Sequence, residues 1–162
     1  MTRFPIAIFV ALALVGAARA QSPVEVARAQ GGASCPKCNL FQADLSNKEL
    51  KSKNFAGARL RQANMAAAVM NRSSFAGADL RDVDAYGAVF SSANFAGANL
   101  TNATLVGAYL QGSNFAGATL DGTNFSGAEM SKARGLRQAQ LSAACGDNST
   151  TLPPGLRLQP CR

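Results

Sequence analysis

The chain has 162 residues, which suffices for one modest domain. It contains no Trp and no His, only 7% aromatic and 15% charged residues, and much of its 48% apolar fraction is Ala. A core of conventional bulky side chains is therefore not expected, and chemistry that needs an imidazole base or metal ligand is excluded. The formal net charge of +7 would favour nucleic acid as a partner, but it includes a segment that we expect to be removed.

The first 20 residues have the organisation of an export signal. Arg3 precedes the uncharged apolar run 4–18, and Ala18-Arg19-Ala20 is the small-x-small pattern that signal peptidase reads. The run is shorter than the roughly 20 residues that span a bilayer, so a transmembrane anchor is not expected. We expect cleavage after Ala20, which makes the mature protein periplasmic or secreted. Its 14 basic and 9 acidic residues then give a net charge of +5.

Residues 21–37 precede the regular part of the chain and are expected to form a flexible lead-in and an N-terminal cap. They contain Cys35, which lies three residues before Cys38. This spacing occurs at thiol–disulfide exchange sites, so a redox function stays open as an alternative to a structural one. Such sites normally lie at the start of a helix, whereas the cysteine pair here is followed by a repeat of a different period, described next.

Residues 38–132 are a tandem repeat with a period of five. Every fifth residue from Leu40 to Met130, 19 positions in all, is Leu, Phe or Met except Ala85, and most have a small residue two positions earlier. This period fits neither a helix nor a plain strand, and it predicts a chain that turns a corner every five residues. Copies of (Asn/Ser)-Phe-Ala-Gly-Ala recur every 20 residues, at 54–58, 74–78, 94–98 and 114–118. Four corners therefore close one turn.

This repeat resembles the pentapeptide-repeat family, with A-(D/N)-L units such as Ala43-Asp44-Leu45, Ala78-Asp79-Leu80 and Ala98-Asn99-Leu100. The resemblance implies an all-β fold, a right-handed quadrilateral β-helix in which the central and small residues face inward. It implies no catalytic residues and no cofactor. The best-known activity of the family is to bind a type II topoisomerase by mimicking DNA. That activity is a remote alternative here, because the repeat body holds 8 basic and 7 acidic residues and so does not imitate a phosphate rod. Direct binding of nucleic acid is not expected either, because the chain is exported and has few aromatic residues for stacking.

Two pairs of residues depart from the repeat. Lys48 and Lys53 occupy inward positions, where a buried charge is costly, and they are expected to mark an irregular edge in the first coil. Val83 places a larger residue at a small position, and Ala85 places a smaller residue at the central position that follows. The two changes together roughly conserve the volume inside the coil. The 19 repeats predict nearly five coils, about 23 Å tall at the usual spacing of strands. Two stacked columns are expected, Phe55, Phe75, Phe95 and Phe115, and Leu60, Leu80, Leu100 and Leu120.

Such a coil has two open edges that need covers. Residues 133–162 are predicted to be a non-repeat C-terminal cap, with a short helix before Gly146 and a turn that folds Leu156 and Leu158 back onto the coil.

Four cysteines in an exported chain suggest disulfides. Bonded cysteines need Cα atoms within about 7 Å, and the two pairs lie at opposite ends of the stack. We therefore expect the pairs Cys35–Cys38 and Cys145–Cys161. Two cysteines at each end and no His do not make a zinc site.

Charge is distributed unevenly along the coil. Residues 48–81 hold seven basic and two acidic side chains, whereas residues 82–130 hold four acidic and no basic ones. The basic end is a candidate docking surface for an acidic protein or an anionic envelope component. Its candidate residues are Arg59, Arg61, Arg72 and Arg81.

Together these features predict a non-enzymatic, exported structural or protein-interaction module. No candidate nucleophile has a recognisable base beside it in the sequence. The alternative from a different class is a thiol–disulfide redox protein that uses Cys35 and Cys38.

Overall fold

The computed structural model describes residues 21–162, so the predicted export signal, residues 1–20, lies outside the described residues. This part of the chain contains helices α1 (Pro23–Gln30) and α2 (Gln138–Leu141) and strands β1 (Cys145–Gly146) and β2 (Gln159–Pro160). Between the two helices, the chain forms a series of isolated parallel β-bridges in place of long strands.

These bridges define a coil in which each residue pairs with the one 20 positions further on. They join Asn39 to Arg59 and Arg59 to Asp79, and they recur every five residues up to the pair of Asn114 and Arg134. The Leu60 N–H donates to the Asp79 carbonyl (2.8 Å), and the Asp79 N–H donates to the Ala58 carbonyl (3.0 Å). Each side of the coil is thus hydrogen-bonded to the coils before and after it. Four sides of five residues make one turn, as the sequence predicts.

Each corner requires a left-handed backbone. From Leu40 to Phe125, the residue two positions after each central residue has a φ between 54° and 73°, for example 65° at Gly97. Glycine adopts this conformation without the cost of about 1 kcal/mol that other residues incur. The corner is often closed further by a side chain, since the Asn94 amide oxygen accepts a hydrogen bond from the Ala96 N–H (3.1 Å).

The core is a single column inside the coil, filled by the central and small residues. Successive rings in the predicted Phe column stack with centroids 5.5, 5.2 and 5.2 Å apart. The predicted Leu column is buried as well. Val83 and Ala85 are 1% and 0% exposed, so their exchange of bulk keeps both side chains inside.

The departure at Lys48 and Lys53 is local. The Lys48 side chain is exposed and that of Lys53 is half-buried, while the ladder of bridges continues past both. At the next corner, the Lys53 N–H donates to the Ser73 hydroxyl (3.0 Å), which itself donates to the Leu50 carbonyl (2.7 Å). The hydroxyl replaces the direct backbone bond that closes other corners. The irregularity expected for the first coil is therefore confined to one turn and two side chains.

The N-terminal cap is helical, so the expectation of a flexible lead-in is wrong for Pro23–Gln30. Helix α1 begins with Pro at its first turn and buries Val26 and Ala29, which lie on one helical face. The Glu25 carboxylate accepts the Asn39 N–H (2.7 Å), and the Gln30 side chain donates to the Asp44 carbonyl (2.8 Å). The helix thereby supplies hydrogen-bond partners at the N-terminal edge of the coil.

The C-terminal cap consists of α2 and the parallel pair β1–β2. The Gln140 side chain donates to the carbonyls of Phe115 (3.0 Å) and Ala118 (2.9 Å) in the last full turn. Leu156 and Leu158 pack against the core, as the sequence predicts.

Candidate interaction surface

The two disulfides lie in the two caps. Cys35 pairs with Cys38 at a Cα–Cα distance of 5.4 Å, and Cys145 pairs with Cys161 at 4.9 Å, which is the pairing that the sequence predicts. Cys35 is fully buried and Cys38 is 5% exposed. An attacking thiolate has little access to such a disulfide. Cys35 also follows α1 and does not begin a helix, so its setting is unlike that of a thiol–disulfide exchange site.

The structure divides the four candidate docking arginines between two parts of the coil. Arg59, Arg61 and Arg81 lie on one side, which we call the Leu60 side, whose central residues are Leu40, Leu60, Leu80, Leu100 and Leu120. Arg72 lies more than ten residues further along a 20-residue turn, on the opposite half of the coil. The predicted patch of four arginines is therefore not one surface.

The three arginines on the Leu60 side are already engaged. Arg81 forms two hydrogen bonds to Asp79, from Nε (2.8 Å) and Nη2 (2.7 Å), and these hold the pKa of the Asp79 carboxyl below its usual value. Arg61 Nε lies 3.3 Å from the Asp82 carboxylate. The Arg59 guanidinium lies 4.9 Å from the centre of the Phe41 ring. Because the carboxylates offset much of the positive charge, the field of this side is weaker than the sequence suggests.

Arg72 differs from the other three. Its side chain is exposed and makes no ion pair or hydrogen bond with any residue of 21–162. It lines a groove of about 400 Å³ together with Lys51, Asn71, Ser91 and Ser92, which we call the Arg72 groove.

Sequence reasoning missed the association of Lys51 with Arg72. The two residues are 21 positions apart, one turn plus one residue, so the 20-residue register contains the signal. The distribution of charge along the axis of the stack does not contain this signal.

Two tyrosines are exposed on the coil. The exposed fractions are 61% for Tyr86 and 40% for Tyr109. Tyr109 is bridged to Val89 in the coil before it, so one edge of the molecule carries aromatic and branched apolar side chains side by side.

Within residues 21–162, no group of three or more His, Cys, Asp or Glu side chains is placed to hold a metal ion. In the same part of the chain, no helix combines the length and apolarity that crossing a membrane requires. Every buried side-chain nitrogen or oxygen that the structure describes has a hydrogen-bond partner.

A model of the pentapeptide-repeat family matches residues 54–91, 93–131 and 105–145, in eight copies. The match covers more than half of the 162 residues. The chain therefore belongs to the pentapeptide-repeat family, whose members fold as right-handed quadrilateral β-helices. No curated protein sequence matches the chain.

Among solved structures, the chain is similar to HetL, a pentapeptide repeat protein involved in heterocyst differentiation regulation from the cyanobacterium Nostoc sp. strain PCC 7120. The two are 27% identical with a TM-score of 0.51, over 75% of this chain and 56% of HetL. The chain thus spans little more than half the length of HetL.

Two further structures are similar at lower TM-scores. A pentapeptide repeat protein from the Arabidopsis thaliana thylakoid lumen is 28% identical, with a TM-score of 0.32, over 65% of this chain and 79% of that one. Full-length QnrB1, a plasmid-mediated fluoroquinolone resistance protein, is 17% identical, with a TM-score of 0.28, over 79% of this chain and 87% of its own.

Proposed function

We propose that this chain is an exported, non-enzymatic interaction module, a stack of nearly five coils that binds a partner along its sides. The observation that carries the proposal is a disulfide-bonded cap at each end of the coil. Disulfides persist in oxidising compartments, which agrees with the export signal predicted in residues 1–20. Capped ends do not offer open strand edges, so the sides remain as the surface for binding.

The polar residues on the sides count against a catalytic role, because many of them are used by the coil itself. The Asn114 side chain accepts the Ala116 N–H (3.0 Å) and donates to Asn94 (3.1 Å) in the coil before it. Such ladders hold corners together and leave few groups to move protons during a reaction.

The first test concerns export and the caps. The full chain and a chain lacking residues 2–20 are expressed in a bacterium and separated into cytoplasmic and envelope fractions. We expect the full chain outside the cytoplasm, beginning at Gln21 and without free thiols, and the shortened chain inside. A full chain that keeps residues 1–20 and four free thiols in the cytoplasm would overturn the proposal.

The second test asks whether the Leu60 side, which holds three of the four candidate arginines, is the side that binds. Crosslinked protein is recovered from the envelope at low and high salt, for the wild type and for a variant with Arg59→Glu, Arg61→Glu and Arg81→Glu. A matched control carries Lys132→Glu, Arg134→Glu and Arg137→Glu, the same charge change near the other end. We expect a salt-sensitive partner that only the first variant loses. Equal capture by all three proteins would remove the Leu60 side from the proposal.

The thiol–disulfide alternative depends on the spacing of Cys35 and Cys38, and the burial of both residues counts against it. A redox protein would reduce insulin in the presence of dithiothreitol and would lose its activity with Cys35→Ser. We expect no reduction above the background rate.

The side chains do not favour the topoisomerase alternative either. Asp79 and Asp82 are paired with arginines, so their negative charge is offset and does not imitate that of DNA.

A further inference from the structure

The Arg72 groove is built from three successive coils. The Ser52 N–H donates to the Asn71 carbonyl (2.8 Å), and the Arg72 N–H donates to the Ser91 carbonyl (2.9 Å). Residues 51–52, 71–72 and 91–92 are therefore stacked in register, at the spacing of about 4.8 Å between neighbouring strands. The groove therefore spans three coils of the stack.

Its lining contains hydrogen-bond donors and no carboxylate. The Arg72 guanidinium has no partner within residues 21–162. The Asn71 amide oxygen accepts the Ser91 N–H (3.0 Å), which leaves the amide nitrogen of Asn71 to donate elsewhere. The side-chain hydroxyls of Ser91 and Ser92 likewise make no hydrogen bond with the described residues. Lys51 supplies a second cation, which is paired with Glu49 outside the lining.

The position of Arg72 is not explained by the stability of the corner. Its φ is 59°, a conformation that favours glycine, and the corners stacked on it in register, Ser52 and Ser92, use serine, so the backbone there does not call for an arginine. On the C-terminal side, a Cβ at Gly112 would lie 3.1 Å from the Ser92 hydroxyl oxygen. The glycine at that position therefore keeps the groove open above Ser92.

We propose that the Arg72 groove binds a phosphate group, which deepens the proposed function by giving the chemistry of one ligand of the module. A carboxylate is already satisfied by the two parallel donors of one guanidinium. A phosphate has more oxygens, arranged tetrahedrally, and takes further donors from an ammonium, an amide and hydroxyls. The groove presents these donors from three coils.

The purified, disulfide-bonded chain is titrated with inorganic phosphate and followed by NMR through its amide and arginine signals. We expect saturable shifts at the three coils that line the groove. Arg72→Gly is expected to weaken binding by about tenfold, the effect of losing one charge-assisted contact. This variant keeps the fold, because the corner accepts glycine, and its melting temperature is expected to equal or exceed that of the wild type.

Two matched variants separate a built site from general charge. Lys37→Gly removes one positive charge at a corner with the same φ of 59°, outside the groove, and is expected to leave phosphate affinity unchanged. Arg72→Lys keeps the charge and loses the planar fork, so binding is expected to fall between wild type and Arg72→Gly. Equal losses with Lys37→Gly and Arg72→Gly, or shifts spread over all basic residues, would overturn the site.

The source of the phosphate is distinguished with glycerol phosphate and with vesicles of phosphatidylglycerol or phosphatidylcholine. If the protein binds phosphatidylglycerol vesicles but not phosphatidylcholine vesicles, and this binding depends on Arg72, the phosphate belongs to a lipid headgroup. If it binds only inorganic phosphate and glycerol phosphate, the phosphate is free or carried by a glycan. The absence of Arg72-dependent binding in every arm would refute the proposal. The titration uses purified protein, so its outcome does not depend on export or on the Leu60 side. Failure of the phosphate proposal can therefore be distinguished from failure of the proposed function.

Discussion

The repeat body and the two caps satisfy the same backbone groups by different means. Within the body, most backbone N–H and carbonyl groups along the sides pair with the coils before and after, and the corners are closed by bonds within the same coil. At the ends, individual side chains do this work, Glu25 and Gln30 in the N-terminal cap and Gln140 and Asp147 in the C-terminal one. The body is therefore specified by a pattern, whereas each cap is specified by a few particular residues.

The two caps also differ from each other. The Cys35–Cys38 disulfide spans a sequence separation of 3 and is buried beside a helix that packs onto the coil. The Cys145–Cys161 disulfide spans a separation of 16 and joins β1 to the chain end. The N-terminal cap thus depends more on packing, and the C-terminal cap depends more on its crosslink.

The largest expected effect lies in the body. Phe95 stacks on Phe75 and Phe115, so Phe95→Ala should leave a cavity in the column and cost about 3–5 kcal/mol of unfolding free energy. Urea denaturation followed by circular dichroism measures this. The control is Phe41→Ala, which removes a half-buried ring on Arg59 and should cost about 1 kcal/mol or less. Similar losses for both would mean that the column does not carry the stability of the body.

Removal of the disulfides sharpens the comparison between the caps. In the chain-entropy treatment, replacing Cys145 and Cys161 with Ser should cost about 3 kcal/mol, because the closed loop is long. The same change at Cys35 and Cys38 should cost about 2 kcal/mol. Urea midpoints of the two double variants test the order. The reverse order would show that burial of the N-terminal disulfide matters more than loop length.

A smaller effect is expected at the one altered corner of the body. Ser73→Ala deprives the Lys53 N–H and the Leu50 carbonyl of their bridging hydroxyl, which should cost about 1–3 kcal/mol. Ser113 is the matched control, since its hydroxyl donates only to the Phe90 carbonyl, and that corner keeps its direct backbone bond from Ala93. Hydrogen exchange at Lys53 should rise in the first variant only. Unchanged protection there would argue against the bridge.

The smallest effect concerns the Asp147 carboxylate in the C-terminal cap. Hydrogen bonds from the Ser149 hydroxyl (2.7 Å) and the Gly127 N–H (2.9 Å) lower the pKa of Asp147 to about 2. A lowered pKa means that the stabilisation is complete above the ordinary value of about 3.8 and disappears as the pH falls towards 2. The difference in urea midpoint between wild type and Asp147→Asn should therefore shrink from pH 5 to pH 2. A difference that stays constant over this range would contradict a stabilising role for the hydrogen bonds to the Asp147 carboxylate.

The sequence predicts the body well because one pattern repeats 19 times and the positions inside the coil differ chemically from those outside. The stacked Phe column, the exchange of bulk at Val83 and Ala85, and the disulfide partners all follow from that pattern. Helix α1 was not predicted, because eight residues without a strong apolar period give little signal, and it is packing against the coil that stabilises it.

The candidate surface was predicted less well than the fold. The distribution of charge along the stack does not define a surface, because residues ten positions apart face opposite directions. The pairing of Arg61 with Asp82, and of Arg81 with Asp79, depends on rotamers of exposed side chains, which a single sequence does not determine. The register itself, once known, places Lys51 beside Arg72.

The 20-residue register also sets what lengths of insertion or deletion the molecule tolerates. Loss of one whole turn within the body shortens the stack but returns every later residue to its original direction. Loss of a single five-residue unit between Lys51 and Arg72 preserves the core pattern equally well, yet it rotates everything after it by a quarter turn. The fold would then be preserved, but the surface residues after the deletion would lie on different sides of the coil. A change in length can therefore alter which partner such a chain recognises without altering how it folds.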